Sequence, residues 1–431
     1  MVPTRVFFGA CFLLCLMVIP SFGGIPKYEI VELTTPSEKG CGSIALNDRG
    51  EVLFRVHNDR NVTTHYLWTP EKGRVELANL GDGITSVIDL NDQGWMIGYR
   101  VISATDPRVD AAVRDWESQQ ERLKQMSQVR RISERPSSAP SETEQATSKP
   151  DIFDSTPNQR RPFPILPNRP MPTPVEPFIW KDDQLQTTEI FGNKFGVRVT
   201  NLNNRGDILG SDGQGFLIWT NQGEKIRVRT EDPNHLIRNL RNFNDAGVWV
   251  GDDARGNLVS NKEFPDPPPE IQRQEEGIRH ITNRSELLVR CATIENRVQY
   301  ERFFIVTEEE WIEMDYPSSL ELVFYDMNDD RVAVGKAYKI TLEERLRKAG
   351  VGVDWKWIET LSNELESMED YYKFACIYHE GEFKYLEDRV VNPDGWENLS
   401  SAKAINNKGQ ILGEGIKNGV KTLFLLNPIG D

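Results

Sequence analysis

Adjacent acidic side chains occur at three places of interest: Glu275-Glu276, Glu308-Glu309-Glu310 and Asp252-Asp253. Glycoside hydrolysis uses two carboxyl groups about 5 to 9.5 Å apart, one as acid and the other as base or nucleophile. The Glu runs have the composition of solvated turns. The Asp pair follows Gly251 at the end of an aliphatic strand pattern, where side chains would reach a channel mouth. Asn47-Asp48-Arg49-Gly50-Glu51 and its relatives carry the oxygen side chains of calcium loops but not their alternating ligand spacing. His occurs only at 57, 65, 235, 280 and 379 and no Cys-x-x-Cys is present, so no zinc set forms from spacing. Nucleophile-elbow, metalloprotease and phosphate-loop motifs are absent as well. These patterns assign no catalytic, metal or cofactor-binding residue, and binding residues stay unassigned.

The elements that would position such groups come from an internal repeat. It runs apolar residue, Asn-x-x-Gly, one unconstrained residue, two apolar residues and a second Gly. Clear copies are Leu90-Asn91-Asp92-Gln93-Gly94-Trp95-Met96-Ile97-Gly98 and Ile405-Asn406-Asn407-Lys408-Gly409-Gln410-Ile411-Leu412-Gly413. Others start at Leu46-Asn47, Leu202-Asn203 and Phe243-Asn244. Two copies are worn: Met327-Asn328 has Arg331 at the Gly position, and Ile281-Thr282 has Thr for Asn and Ser285 for Gly. Asn opens a turn by bonding the backbone just ahead of it, and Gly takes the positive φ that ends it. The flanking apolar residues belong to short strands rich in Ile, Val and Leu.

A second signal follows most copies, an aromatic-aliphatic strand, a polar turn and another strand: Tyr66-Leu67-Trp68, Phe178-Ile179-Trp180, Phe216-Leu217-Ile218-Trp219, Phe303-Phe304-Ile305-Val306 and Leu423-Phe424-Leu425-Leu426. Each repeat thus supplies about four strands. Successive Asn positions are 44, 112, 41, 38, 46 and 78 residues apart. Periods of roughly 40–50 residues with four strands each predict propeller blades. The expected fold is all-β, a seven-bladed β-propeller of four-stranded antiparallel blades over residues 24–431. The last repeat ends after its third strand, and an isolated strand, Tyr28-Glu29-Ile30-Val31-Glu32-Leu33, precedes the first repeat. That N-terminal strand is expected to complete the last blade and close the ring, removing a free sheet edge.

The repeat resembles the HAF-repeat family of predicted extracellular bacterial proteins. The stretch Ser401-Ala402-Lys403-Ala404-Ile405-Asn406-Asn407-Lys408-Gly409-Gln410-Ile411-Leu412-Gly413, followed by Thr422-Leu423-Phe424-Leu425-Leu426, carries the likeness. It covers most of 28–431 outside the long spacings and is looser in the fifth and sixth repeats. The resemblance implies a secreted repeat protein of β-propeller type and brings no catalytic residues with it.

The two long spacings contain insertions, at 101–177 in the second blade and 340–372 in the sixth. Residues 111–131 have good helix formers and few breakers, so a helix is expected there. From Pro136 to Pro177 the chain is Ser/Thr/Pro-rich and reads as disordered or polyproline II. In 340–372, Thr341-Leu342-Glu343-Glu344 opens a helix as a capping box, and Trp355, Ile358, Leu361, Leu365 and Met368 stripe a second one.

Residues 1–23 read as a secretory signal: Arg5, an apolar run from Val6 to Ile19, Pro20, and Ser21-Phe22-Gly23 before Gly24. Fourteen apolar residues are too few to span a bilayer comfortably. Cleavage removes one positive charge from a chain of net −15, leaving −16. It also leaves only Cys41, Cys291 and Cys376, too few for a disulfide framework. An acidic chain of this kind argues against nucleic acid and anionic lipid as partners. With 38% hydrophobic and 9% aromatic residues there is ample core. The sequence therefore predicts a secreted, periplasmic or envelope-associated binding module with a protein or glycan partner, no cofactor and no stable membrane span. The alternative is an extracellular polysaccharide hydrolase or lyase acting in the central channel.

Overall fold

The computed structural model describes residues 24–35, 40–57, 63–77, 84–102, 175–182, 184–187, 197–229, 237–253, 257–269, 276–295, 298–317, 320–339 and 373–430, with isolated positions at 38, 106, 191 and within 109–125. The chain divides into two compact units, one of residues 1–62, 68–74 and 235–431, the other of 63–67 and 75–234.

Seven antiparallel sheets, taken in chain order as blades 1 to 7, make the fold a seven-bladed β-propeller. Blade 1 consists of Cys41–Leu46, Val52–His57, Thr63–Thr69 and Gly73–Glu76. Blade 2 is Ile84–Leu90, Met96–Val101, Val175–Lys181 and Gln184–Gln186, and blade 3 is Arg198–Leu202, Ile208–Ser211, Phe216–Trp219 and Lys225–Arg227. Among the described residues blade 4 has three strands, Ile237–Phe243, Trp249–Asp253 and Leu258–Ser260. Blade 5 is Glu276–Ile281, Leu287–Glu295, Val298–Val306 and Trp311–Glu313. Blade 6 is Leu320–Met327, Ala333–Lys339, Lys373–His379 and Glu382–Tyr385.

Blade 7 joins Trp396–Ile405, Ile411–Lys417 and Val420–Ile429 to the N-terminal strand Lys27–Glu32. That strand runs antiparallel to Val420–Ile429, with Lys27 opposite Ile429 and Glu32 opposite Phe424. The expected closure is present, and a two-residue strand, Val390–Val391, adds a parallel fifth member outside it.

Every repeat turn has the backbone its sequence predicts. Gly50, Gly94, Gly206, Gly247 and Gly409 have φ between 74° and 85°, and the worn copies hold the same conformation with Ser285 at 63° and Arg331 at 60°. The second Gly has a different cause. In each blade the first strand slips register by one residue, leaving a bulge three positions before the repeat Asn. The bulge pushes a carbonyl toward the neighbouring strand. A Cβ on Gly335 would sit 2.1 Å from the Val323 carbonyl oxygen, and one on Gly210 1.9 Å from that of Arg198. Third-strand aromatics use the remaining space, as Phe424 does over Gly413.

The core lies between successive blades. Phe303, Phe324, Met327, Cys376 and Tyr378 pack together between blades 5 and 6, and Trp95, Ile97, Phe191, Leu217 and Trp219 between blades 2 and 3. Phe54, Phe178, Phe303, Phe324 and Phe424 are fully buried, each contributing on the order of 2–3 kcal/mol of transfer free energy. Cys41, Cys291 and Cys376 are buried in three different blades, and no disulfide joins them.

The repeat Asn does more than open a turn. Asn328 Oδ1 accepts from the backbone of Asp330 and Val332 at 3.1 and 3.0 Å, while its Nδ2 donates to the Asn406 carbonyl of the next blade at 3.2 Å. Asn406 repeats the pattern toward Asn47 O at 2.8 Å, Asn244 toward Thr282 O at 2.9 Å, and Asn91 toward Asn203 O at 3.0 Å. The amide offers both an acceptor and a donor, whereas an ionised Asp offers acceptors alone and cannot replace it. The following residue forms a second tie. Its side-chain oxygen accepts from the backbone N–H at the same position of the preceding blade, as in Asp245 to Asn283 (3.1 Å), Asn283 to Asp329 (2.7 Å), Asp329 to Asn407 (2.9 Å), Asn407 to Asp48 (2.7 Å) and Asp92 to Asn204 (2.8 Å). That position is Asp or Asn in all seven repeats, Asp48, Asp92, Asn204, Asp245, Asn283, Asp329 and Asn407.

The worn sixth repeat keeps its contact by other means. Trp95 packs over Gly206 and Gln410 over Gly50, each four residues beyond its own repeat Asn. At the corresponding place Glu286 bonds Arg331 through Nη2 at 2.6 Å and Nε at 3.1 Å, an ion pair substituting for packing on Gly. The described residues between 109 and 125 have helical backbone. The irregular segment expected to run to Pro177 ends earlier, because Val175, Glu176 and Pro177 pair with Val101, Arg100 and Tyr99 in blade 2. Residues 126–174 and 340–372, where the other insertion expectations fall, lie outside the described residues, as do residues 1–23. Among the described residues no helix is long and apolar enough to cross a membrane. Replacing Asn328 with Asp keeps the turn acceptors and removes the donor to Asn406, so urea unfolding should show a loss of about 1–3 kcal/mol; an unchanged midpoint would remove the amide tie from the account.

Candidate functional site

The residues read from sequence as candidate acids are committed to structure. Asp252 and Asp253 are neighbours on one strand, so their side chains leave on opposite faces. Asp252 accepts from Asn239 Nδ2 at 2.8 Å and Arg241 Nε at 2.9 Å. Asp253 caps a turn, accepting from the backbone N–H and Nδ2 of Asn257 at 3.0 and 2.9 Å. They do not form a facing pair. Glu308, Glu309 and Glu310 lie in an exposed turn with Thr307, and Glu308 pairs with Lys262. Asn398, one of three glycosylation-type sequons with Asn61 and Asn283, is buried. Among the described residues no three His, Cys, Asp or Glu side chains gather as a metal set would.

Buried acidic and histidine side chains tie neighbouring blades together. Asp89 accepts from the Leu90 and Leu202 backbones at 2.9 and 2.8 Å, and burial raises its pKa to about 6. Asp326 accepts from Met327 at 3.0 Å and from Ile405, in the next blade, at 2.9 Å. Its Oδ1 also meets His280 Nδ1 at 2.6 Å, joining blade 5 to blade 6. Burial opposes protonation of His280, but Asp326, and more weakly Asp329, reverse that and raise its pKa.

What the inner strands present instead is positive charge. The bulge residues of blades 4 to 7 are Arg241, Arg279, Tyr325 and Lys403. One strand further out, and eight residues after the repeat position, blades 5 and 6 carry Arg290 and Lys336. Tyr325 is the hub: Lys403 Nζ lies 4.6 Å from its ring centroid and Lys336 Nζ 5.8 Å, with Lys336 also 4.8 Å from the Tyr338 ring. Arg290 pairs with Glu301, whose carbonyl accepts from Tyr316 Oη at 2.6 Å. Arg241 pairs with Asp252. Five cations thus meet two carboxylates, in a chain whose total is strongly negative.

Arg279 is half-buried, and its Nε, like that of Arg290, is a buried donor with no hydrogen-bond partner among the described residues. An unsatisfied buried donor costs about 1–3 kcal/mol. Burial, then the nearby charges of Arg290 and Arg241, lower the Arg279 pKa, while Glu301 and Tyr325 act the other way. Guanidinium stays charged in proteins, so Arg279 is a half-buried cation.

This grouping escaped the motif search because it is a column property. No two of its members are adjacent in sequence. Aligning the repeats and reading the position three before the Asn would have given Ile44, Ile88, Thr200, Arg241, Arg279, Tyr325 and Lys403, with the change of chemistry visible at blade 4. A separate cleft of about 270 Å³, at the outer edge of blade 6, is lined by Pro317, Leu320, Phe383, Lys384, Tyr385 and Asp388.

No protein-family profile matches the chain, and no curated protein sequence does. Comparison with solved structures finds similarity at a low level. An acylaminoacyl peptidase in complex with a chloromethyl ketone is 9% identical, with a TM-score of 0.38 over 80% of this chain and 44% of that one. The β-propeller domain of the Trilobed protease from Pyrococcus furiosus is 9% identical, with a TM-score of 0.32 over 91% and 84%. A Mycobacterium tuberculosis puromycin-hydrolyzing peptidase is 7% identical, with a TM-score of 0.40 over 91% and 53%. The chain spans about half the length of the first and third of these proteins.

Because the folded-state pKa of His280 is raised, the stabilisation it gives is complete below the unfolded value near 6.5 and is lost as pH rises through the folded value. The melting temperature should therefore fall by on the order of 2 °C across that interval more steeply in the native protein than in His280→Gln. Parallel curves for the two proteins would exclude the His280–Asp326 tie as the titrating element.

Proposed function

We propose that the protein is a non-catalytic binding module that works outside the cytoplasm, in the envelope or beyond it. One observation carries the binding reading. On the inner strands of blades 4 to 7 the described carboxylates are held by partners within the fold, whereas Arg279, Lys336 and Lys403 have no carboxylate partner among the described residues. A general acid–base pair needs titratable groups poised beside a vacant position for the reacting atom. Asp252, Asp253 and Asp326 instead hold donors of their own fold. The channel hydrolase or lyase thus lacks its carboxylate pair among the described residues.

Support for the extracellular address comes from residues 1–23 and from the likeness of 401–426 to HAF repeats. Export is tested by expressing the chain with and without residues 1–23 and reading the N-terminus of the exported form. Export of the full chain, a mature protein beginning at Gly24 and retention of the truncated form are expected; retention of both forms would overturn the address. Catalysis is tested on the same material by incubating it with acidic and neutral polysaccharides and measuring new reducing ends and unsaturated products. No turnover above buffer is expected, and sustained product formation would bring the enzyme reading forward.

A further inference from the structure

The binding-module reading does not say what is bound, and the cationic grouping does. We propose that Arg279, Arg290, Lys336 and Lys403, gathered about Tyr325, form a site for the carboxylate groups of an acidic oligosaccharide. This inference rests on the binding reading above and names its ligand class.

Three features of the grouping select such a ligand. First, it has donors left over: the Nε atoms of Arg279 and Arg290 are buried without acceptors among the described residues, although Arg290 is bound through Nη2 to Glu301. Planar guanidinium groups bind carboxylates with two donors in parallel, a geometry that a bound uronate completes. Second, its charges are spread over three blades. Arg279 and Arg290 stand on blade 5, Lys336 on blade 6 and Lys403 on blade 7. Several separated cations suit a ligand with several anionic groups along its length rather than one compact ion. Third, the grouping is embedded in an acidic chain of net charge −15. A long polyphosphate would be repelled by the rest of the surface, while a short chain of weak, spaced charges meets mainly the local field. The tyrosines serve as supports. Lys336 and Lys403 lie over the Tyr325 ring, so their ammonium groups are placed by cation–π contact without a carboxylate to neutralise them.

The change of chemistry is confined to blades 4 to 7 at the bulge position, while at the second-strand position blade 1 also carries a cation, Arg55. At the bulge position blades 1 to 3 carry Ile44, Ile88 and Thr200, none charged. At the second-strand position of blades 4 to 7 the residues are Asp252, Arg290, Lys336 and Glu414. Asp252 is bound to Arg241, Arg290 to Glu301 and Glu414 to Lys421 at 3.0 Å, so the cations without a carboxylate partner among the described residues are Arg279, Lys336 and Lys403, on blades 5 to 7.

The experiment is calorimetric titration of residues 24–431 with trigalacturonate, maltotriose, inorganic phosphate and a single-stranded DNA oligomer. Trigalacturonate should bind, with affinity falling as salt is raised, and maltotriose should not. Arg279→Gln and Lys403→Gln should each weaken trigalacturonate at least tenfold, while Lys72→Gln on an exposed turn of blade 1 leaves it unchanged. Circular dichroism and melting establish that the variants are folded, and Lys403→Gln carries the test alone if Arg279→Gln does not fold. Equal affinity for trigalacturonate in native and variant proteins would overturn the site while leaving the module reading intact. Phosphate binding as tightly as trigalacturonate, or DNA binding more tightly, would overturn the ligand class. No binding of trigalacturonate at low salt would overturn the proposal, whereas cleavage of it would overturn the module reading.

Discussion

The repeat asparagine is the part on which the remaining structure depends. Its carbonyl oxygen accepts two backbone N–H groups of its own turn, and its amide donates to the same turn of the next blade. One side chain thereby fixes local geometry and blade-to-blade register together. The bond is buried in a low-dielectric setting, where a satisfied polar group specifies one arrangement and an unsatisfied one is costly. The Asp or Asn that follows adds a second tie in parallel. Apolar packing between blades supplies most of the free energy, but it is non-directional. The asparagines supply the direction.

Reading the fold from sequence succeeded where one residue type had one reason to be there. The Asn, the Gly with positive φ and the aromatic third strands all recur with a period that sets the blade number. The N-terminal strand could be placed in the last blade because both had vacant edges. What was not legible was any property shared between residues that never meet in sequence. Asn91 and Asn203 are 112 residues apart, so nothing local shows that one donates to the other. The second Gly was visible as a pattern, but its reason, the bulge that aims a carbonyl at its Cβ, exists only once two strands are paired. Arg331 looked like decay of the repeat; its partner Glu286, 45 residues earlier, shows that it is a replacement.

The cationic grouping illustrates the same limit for function. Net charge predicted an acidic protein, and the chain is one. A binding face is set by local charge, however, and the bulge gathers side chains that are 38 to 78 residues apart in the chain. The bulge serves both ends: it requires glycine in the neighbouring strand for steric reasons, and it leaves an extra side chain outside the ladder for chemistry. Blades 1 to 3 fill that extra place with Ile, Ile and Thr, and blades 4 to 7 with Arg, Arg, Tyr and Lys.

The closing strand has a consequence for the order of events during folding. Lys27–Glu32 pairs residue for residue with Phe424–Ile429, nearly the whole chain away. Contacts of such long sequence separation are reached late, because the intervening loop must first be shortened by structure already formed. Until Phe424–Ile429 has been made, Lys27–Glu32 lacks its long antiparallel partner and blade 7 has an open edge. A nascent chain therefore cannot lock prematurely into its final form. The last hydrogen bonds to form are also those that join the two ends, so the completed blade acts as a latch that pulling on either terminus must break first.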